Sequence, residues 1–216
     1  MRHYGEGTVL TVFSMALLIG ACGSSSAVGP QGESVAQHEA AASVEDRQAA
    51  TLCQAGNGTV CWSDRASSEA KKLREMAARH RAAAQSLLNA EASACEGIAP
   101  EDRDRSPFFH GADIRSVSPL DEALGMGARF AGATIVFRAV PGLTAEWLQR
   151  IVECHLARDA AVGYDMPEMA DCPLSIPGVS ATVVSAGDGF AVKVHSGDDA
   201  AAAEIWRRAQ RIKARP

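Results

Sequence analysis

One uncharged run near the amino terminus constrains this chain more than any other feature. Val9 to Ile19 reads VLTVFSMALLI, and Gly20, Ala21 and Cys22 follow at once. The run holds 11 residues, too few to cross a bilayer, which takes about 20 helical residues. Behind a short leader containing Arg2 and His3, it fits the apolar core of a secretory signal with small residues at its cleavage point. Export bears on everything downstream. The mature chain is expected to fold where disulfides persist, so its cysteines become candidate crosslinks.

The residues Ile19-Gly20-Ala21-Cys22 resemble the lipobox of bacterial lipoproteins. In that family the cysteine is diacylated on sulfur, the leader is cut before it, and the new amino group is acylated. The resemblance spans residues 1–22 and implies a signal peptide over 1–21 and lipidation at Cys22. The membrane then becomes a partner through the lipid, because several acyl chains on one residue anchor stably where one binds marginally. Glu6 departs from the pattern, since acidic residues are uncommon in such leaders. Gly23 follows the cysteine, where Asp often favours inner-membrane retention in two-membrane bacteria. The resemblance therefore implies an outer-membrane lipoprotein facing the periplasm. The plainer alternative is a secretory signal cut near Ala21, with Cys22 a bystander.

Beyond the leader, residues 22–66 are expected to hold the lipidated cysteine and a flexible tether. Residues 23–46 are rich in Ser, Gly, Ala and Glu, and Val is their only large apolar residue. Such a composition buries too little surface to fold. Residues 67–216 are expected to form one α/β domain. Leu73, Met76, Ala77, His80, Ala84, Leu87, Leu88 and Cys95 share one face at helical spacing, which predicts a long helix over 67–95. A strand is predicted over 134–140, with a further one near 114–120. The turn Pro141-Gly142 and the N-cap Thr144 introduce a helix over 145–161. Residues 181–185 and 190–195 alternate around Gly187-Asp188-Gly189 as a hairpin, and a last helix starts near Asp199. The fold class is therefore α+β: a small antiparallel or mixed sheet with helices on one face, two-layered and loosely ferredoxin-like, preceded by a long helix.

The net charge of −5, from 21 basic and 26 acidic residues, argues against nucleic acid as a partner. Enzyme signatures are missing: the sequence has no GxSxG, HExxH, Walker loop or CxxC. Gly125-Met126-Gly127 fails as a dinucleotide loop, because Phe130 stands where the third glycine belongs. Five cysteines remain after Cys22. Cys53 with Cys61 and Cys154 with Cys172 are the economical local disulfides, leaving Cys95 as a buried thiol.

A rival reading concerns soft metal. Met166, Met169 and Cys172 lie in one loop, and His155 lies on the preceding helix. His80, Cys95 and His110 are the remaining candidates to complete a copper or zinc site. His80 and His155 each interrupt an apolar stripe, which favours burial for both. The reading preferred on sequence needs no cofactor: a non-enzymatic envelope lipoprotein whose domain binds a ligand or an envelope protein partner. A periplasmic copper or zinc protein and an enzyme without a recognisable motif are the alternatives.

Overall fold

The computed structural model describes residues 30–53, 61–164 and 166–214. Cys22 and the leader lie outside the described residues. The described chain is mixed α+β and builds a four-stranded, wholly antiparallel sheet of order β1-β2-β4-β3. Its strands are β1 (Ile114–Leu124), β2 (Gly127–Phe137), β3 (Ser180–Ala186) and β4 (Gly189–His195). The helices are α1 (Val35–Leu52), α2 (Asp64–Ala94), α3 (Ala145–Ala161) and α4 (Asp199–Ala214).

Two hairpins, each followed by a helix, make the sheet. The first is β1-β2 with α3, and the second is β3-β4 with α4. Their second strands meet at the centre, where Ile135 pairs with Val192 and Ala133 with Val194. Strand periodicity decides which face is covered. Ala131, Ala133, Ile135 and Phe137 are all buried, and so are Val192 and Val194. Leu148 and Val152 from α3 and Ile205, Ala209 and Ile212 from α4 close the same core. Helices on one face of an antiparallel sheet is the expected layering. The element order ββαββα differs from the βαββαβ order of ferredoxin-like folds, but the antiparallel four-stranded sheet with its helices on one face keeps the looser likeness. Gly125 and Met126 are simply the turn between β1 and β2, with Gly125 at φ +60° and Gly127 opening β2. Gly132 has φ +149°, and a Cβ there would stand 2.3 Å from the carbonyl oxygen of Val194; only glycine lets the two central strands come this close.

The expected tether differs most from the structure. Residues 35–52 form α1, which packs lengthwise on α2. Ser34 caps it with a complete capping box: its side chain accepts from Gln37 N–H, and the Gln37 side chain accepts from Ser34 N–H. The seam between the helices is made of small residues. Ala42 and Ala49 of α1 and Ala70, Ala77 and Ala84 of α2 are buried, each series stepping by seven as in a coiled-coil seam. Alanine lets the two backbones approach, and Leu52 and Leu73, partly buried, pack against the end of the seam beside Cys53. The segment before α1 is pinned as well. Gly32 N–H donates to the Asp104 carbonyl and Ser106 N–H to the Pro30 carbonyl. Met166 and Met169 pack on Gly32, whose missing Cβ would lie 3.4 Å from Met166 Sδ.

The disulfides also differ in part. Cys53 is bonded to Cys61, as expected, and closes the α1-α2 hairpin. The second bridge is Cys95–Cys154, with its Cα atoms 4.7 Å apart. The expected Cys154–Cys172 bond is absent and Cys172 is the buried free thiol. Sequence nearness favoured the shorter loop. The packing of α2 on α3 instead brings Cys95, at the C-cap of α2, onto Cys154.

Candidate functional site

Three places in the described residues gather polar or reactive groups. The first is an apolar cleft of about 230 Å³ between the 102–113 loop, the end of β2 and the first turns of α3. Its walls include Phe109, Val140, Leu143, Trp147 and Ile151. The adjacent phenylalanines divide the work. Phe108 is fully buried and stacks on Phe137 at 5.9 Å between centroids, while Phe109 lines the cleft. Arg105 lines it too, with its guanidinium 5.3 Å from the Phe109 centroid and Nη1 donating to Asp102 at 2.9 Å. Its Nε is buried and has no hydrogen-bond partner, so one donor is left over where an apolar wall meets a cation. His110 stands edge-on to Phe109 at the same cleft.

The second place is a closed polar cluster under α3. His155 Nε2 lies 3.3 Å from Cys172 Sγ and 3.2 Å from Asp159 Oδ2. Ser106 Oγ is 3.2 Å from the same sulfur, and Ser175 donates to Asp159. Burial alone would depress the His155 pKa, but the charges of Cys172 and Asp159 outweigh it and raise it to about 9. Burial raises the Cys172 thiol, and His155 more than offsets this, holding it below its usual value. Burial dominates at Asp159 and pushes its carboxyl upward. A charged imidazole beside a thiolate is the chemistry of a nucleophile. The geometry is not. Thiol and carboxylate share one ring nitrogen, whereas an oriented base needs the carboxylate on the other. Cys172 and His155 are 0% and 2% exposed. The cluster ties α3 to the 172–175 loop, whose carbonyls at Cys172 and Ser175 also accept from Arg208 of α4.

The third place lies between α1, α2 and the segment before α1. His38 Nδ1 is 2.9 Å from His80 Nδ1 and 3.1 Å from Glu33 Oε2. Burial lowers the His38 pKa, partly opposed by Glu33, and His80 lowers it further. Sequence reasoning placed His38 in the tether and missed it. The signal was present in the Ser34–Gln37 capping box, which starts a helix and so sets His38 on its first turn.

The soft-metal constellation does not assemble. Cys95 is consumed in a disulfide, His110 faces the apolar cleft, and Cys172 pairs with His155 inside the closed cluster. Met169 is core. His155 is buried as expected, but His80 is partly exposed at the third site. No protein-family model, curated protein or solved structure matches the chain. Among the described residues, no helix is long and apolar enough to cross a membrane.

Proposed function

We propose that this chain is an exported, lipid-anchored protein of the cell envelope whose folded body is a binding module. The leader and Cys22 support the anchoring half of this reading. The carrying observation for the binding half is the apolar cleft, where a buried, unpartnered Arg105 Nε stands beside aromatic walls. Ligand sites are typically concave and mostly apolar, with a few polar groups that fix orientation. The ligand class that fits is a small apolar or aromatic molecule carrying one acidic group. Its ring would replace water against Phe109 and Trp147, and its acceptor would meet Arg105.

Titration with 1-anilinonaphthalene-8-sulfonate, an apolar probe with one sulfonate, tests the cleft. Val140→Glu puts a charge on the apolar wall and is expected to abolish binding. Arg105→Ala should weaken it about tenfold, the equivalent of one charge-assisted hydrogen bond. Equal binding by both variants and the wild type would remove the cleft as the site. The anchor is tested separately by metabolic labelling with an alkynyl fatty acid, which Cys22→Ser should abolish.

A further inference from the structure

We propose that Glu33, His38 and His80 form a divalent-cation site of zinc type, with Glu45 as the positioning residue behind His80. One carboxylate oxygen and two ring nitrogens, one from each residue, all lie within 4.8 Å of one another. Two donors bound tetrahedrally to one Zn²⁺ at its usual nitrogen distance stand roughly 3.3 Å apart. The observed separations of 2.9 and 3.1 Å around His38 Nδ1 are already near that spacing. A hydrogen-bonding account leaves a remainder. A ring nitrogen carries one in-plane proton or one lone pair, so one proton on His38 Nδ1 cannot satisfy both Glu33 and His80 fully. A cation placed among the three atoms answers all of them together.

Glu45 supplies an independent observation. It is 8% exposed within an apolar seam whose buried residues are mainly alanine. Its Oε1 lies 3.7 Å from His80 Nε2, and its Oε2 is buried with no hydrogen-bond partner. A buried carboxylate against the far nitrogen of a histidine favours the Nε2–H tautomer. The lone pair is then on Nδ1, the nitrogen that faces His38. A carboxylate behind a ligating histidine is the usual outer arrangement of zinc sites, where it fixes the tautomer and strengthens the donor.

The ligands are also held in place. Glu33 precedes the capping box, and its carbonyl accepts from Arg158 Nη2 at 2.9 Å. His38 and His80 sit on helices whose spacing is set by the alanine seam. Three protein ligands leave a fourth position, and the adjoining cleft, lined by Met166 and Glu168 among others, is open to water. Imidazole and carboxylate donors suit zinc better than Cu(I), which prefers thiolate and thioether. The site lies apart from the apolar cleft and does not depend on its occupant.

The test uses full-length protein in detergent, without a polyhistidine tag and stripped of metal by chelator. Calorimetric titration with ZnCl₂ should show one strong site per chain. His38→Ala and His80→Ala should each weaken it by at least about 100-fold, and Glu45→Gln by about tenfold. His110→Ala, at the other cleft, should leave it unchanged. X-ray absorption of the zinc-loaded wild type needs no variant and should show two imidazoles in an all nitrogen-and-oxygen shell. Absence of a strong site in the wild type, retention of it in the His38→Ala, His80→Ala double variant, or a sulfur-containing shell would overturn the assignment. An unchanged affinity in Glu45→Gln would remove Glu45 from it.

Discussion

Replacing Cys95 and Cys154 together by alanine tests the crosslink that joins α2 to α3. The bridge spans a sequence separation of 59 residues. In the chain-entropy treatment, a loop of that length costs the unfolded state about 4 kcal/mol, against about 3 kcal/mol for the shorter Cys154–Cys172 loop favoured by sequence nearness. Both sulfurs are buried with Ile98 and Ile151, so the double variant also loses a small packed contact. With a urea dependence of about 2 kcal/mol per molar, the loss should move the unfolding midpoint down by about 2 M. The link encloses β1 and β2, so reduction should loosen the first hairpin-helix unit. Peptide mass spectrometry under non-reducing conditions, after alkylation of the native protein, gives the direct readout. A linked Cys95–Cys154 peptide and an unmodified Cys172 are expected. A Cys154–Cys172 linked peptide, or a midpoint unmoved in the double variant, would refute the assignment.

Two further outcomes follow from the packing. His155 is raised from 6.5 to about 9 in the fold, so the stability its charged form contributes is fully present below pH 6.5 and is lost as the pH climbs through about 9. Cys172, held below its ordinary value, contributes stability that is present above pH 9 and lost as the pH falls through its folded value. From pH 6.5 to about 9 the two contributions run in opposite directions, so this pair should leave the melting temperature nearly level across that window, and a steep fall within it would refute the pairing. Ala77→Leu overfills the α1-α2 seam and should cost about 1–3 kcal/mol in urea unfolding; an unchanged midpoint would mean that α1 does not lie where it is placed.

How much was legible in the sequence depended on the physical origin of each feature. The helix over 145–161 and the hairpin around Gly187 stood out because large apolar residues mark their period and Thr144 and Gly187-Asp188 mark their ends. β2 begins at Gly127, well before the strand expected from 134, because Ala128 and Ala131 are small enough to hide its start. α1 was invisible to a search for large apolar residues. Its stability comes from alanine at steps of seven and from a capping box, and both gain meaning only once α2 lies alongside. Cys95–Cys154 was unreadable for a similar reason: the pairing is dictated by how α2 crosses α3, not by distance along the chain. The metal candidates failed as a set because Cys95 is taken by a disulfide, and His110 and His80 lie at other sites, away from the His155–Cys172 pair. His38 carries no sequence signal of its own because its partner His80 lies 42 residues away, on the helix that α1 packs against.

The pinned segment at residues 30–32 has a geometric consequence for the proposed anchor. A tether running from residue 23 to residue 66 would reach roughly 150 Å when stretched, and the body would wander freely above a surface. The backbone bonds of Pro30 and Gly32 to Ser106 and Asp104 end that freedom early. With acyl chains on Cys22, only eight peptide steps separate the lipid from the body, a leash of roughly 28 Å at full extension. The leash also starts beside Arg105 and Ser106, which line the apolar cleft. A body moored this closely would draw the ligand proposed for the cleft from the interfacial layer, where amphipathic molecules concentrate, and a cleft too small to compete in bulk solution would stay filled there.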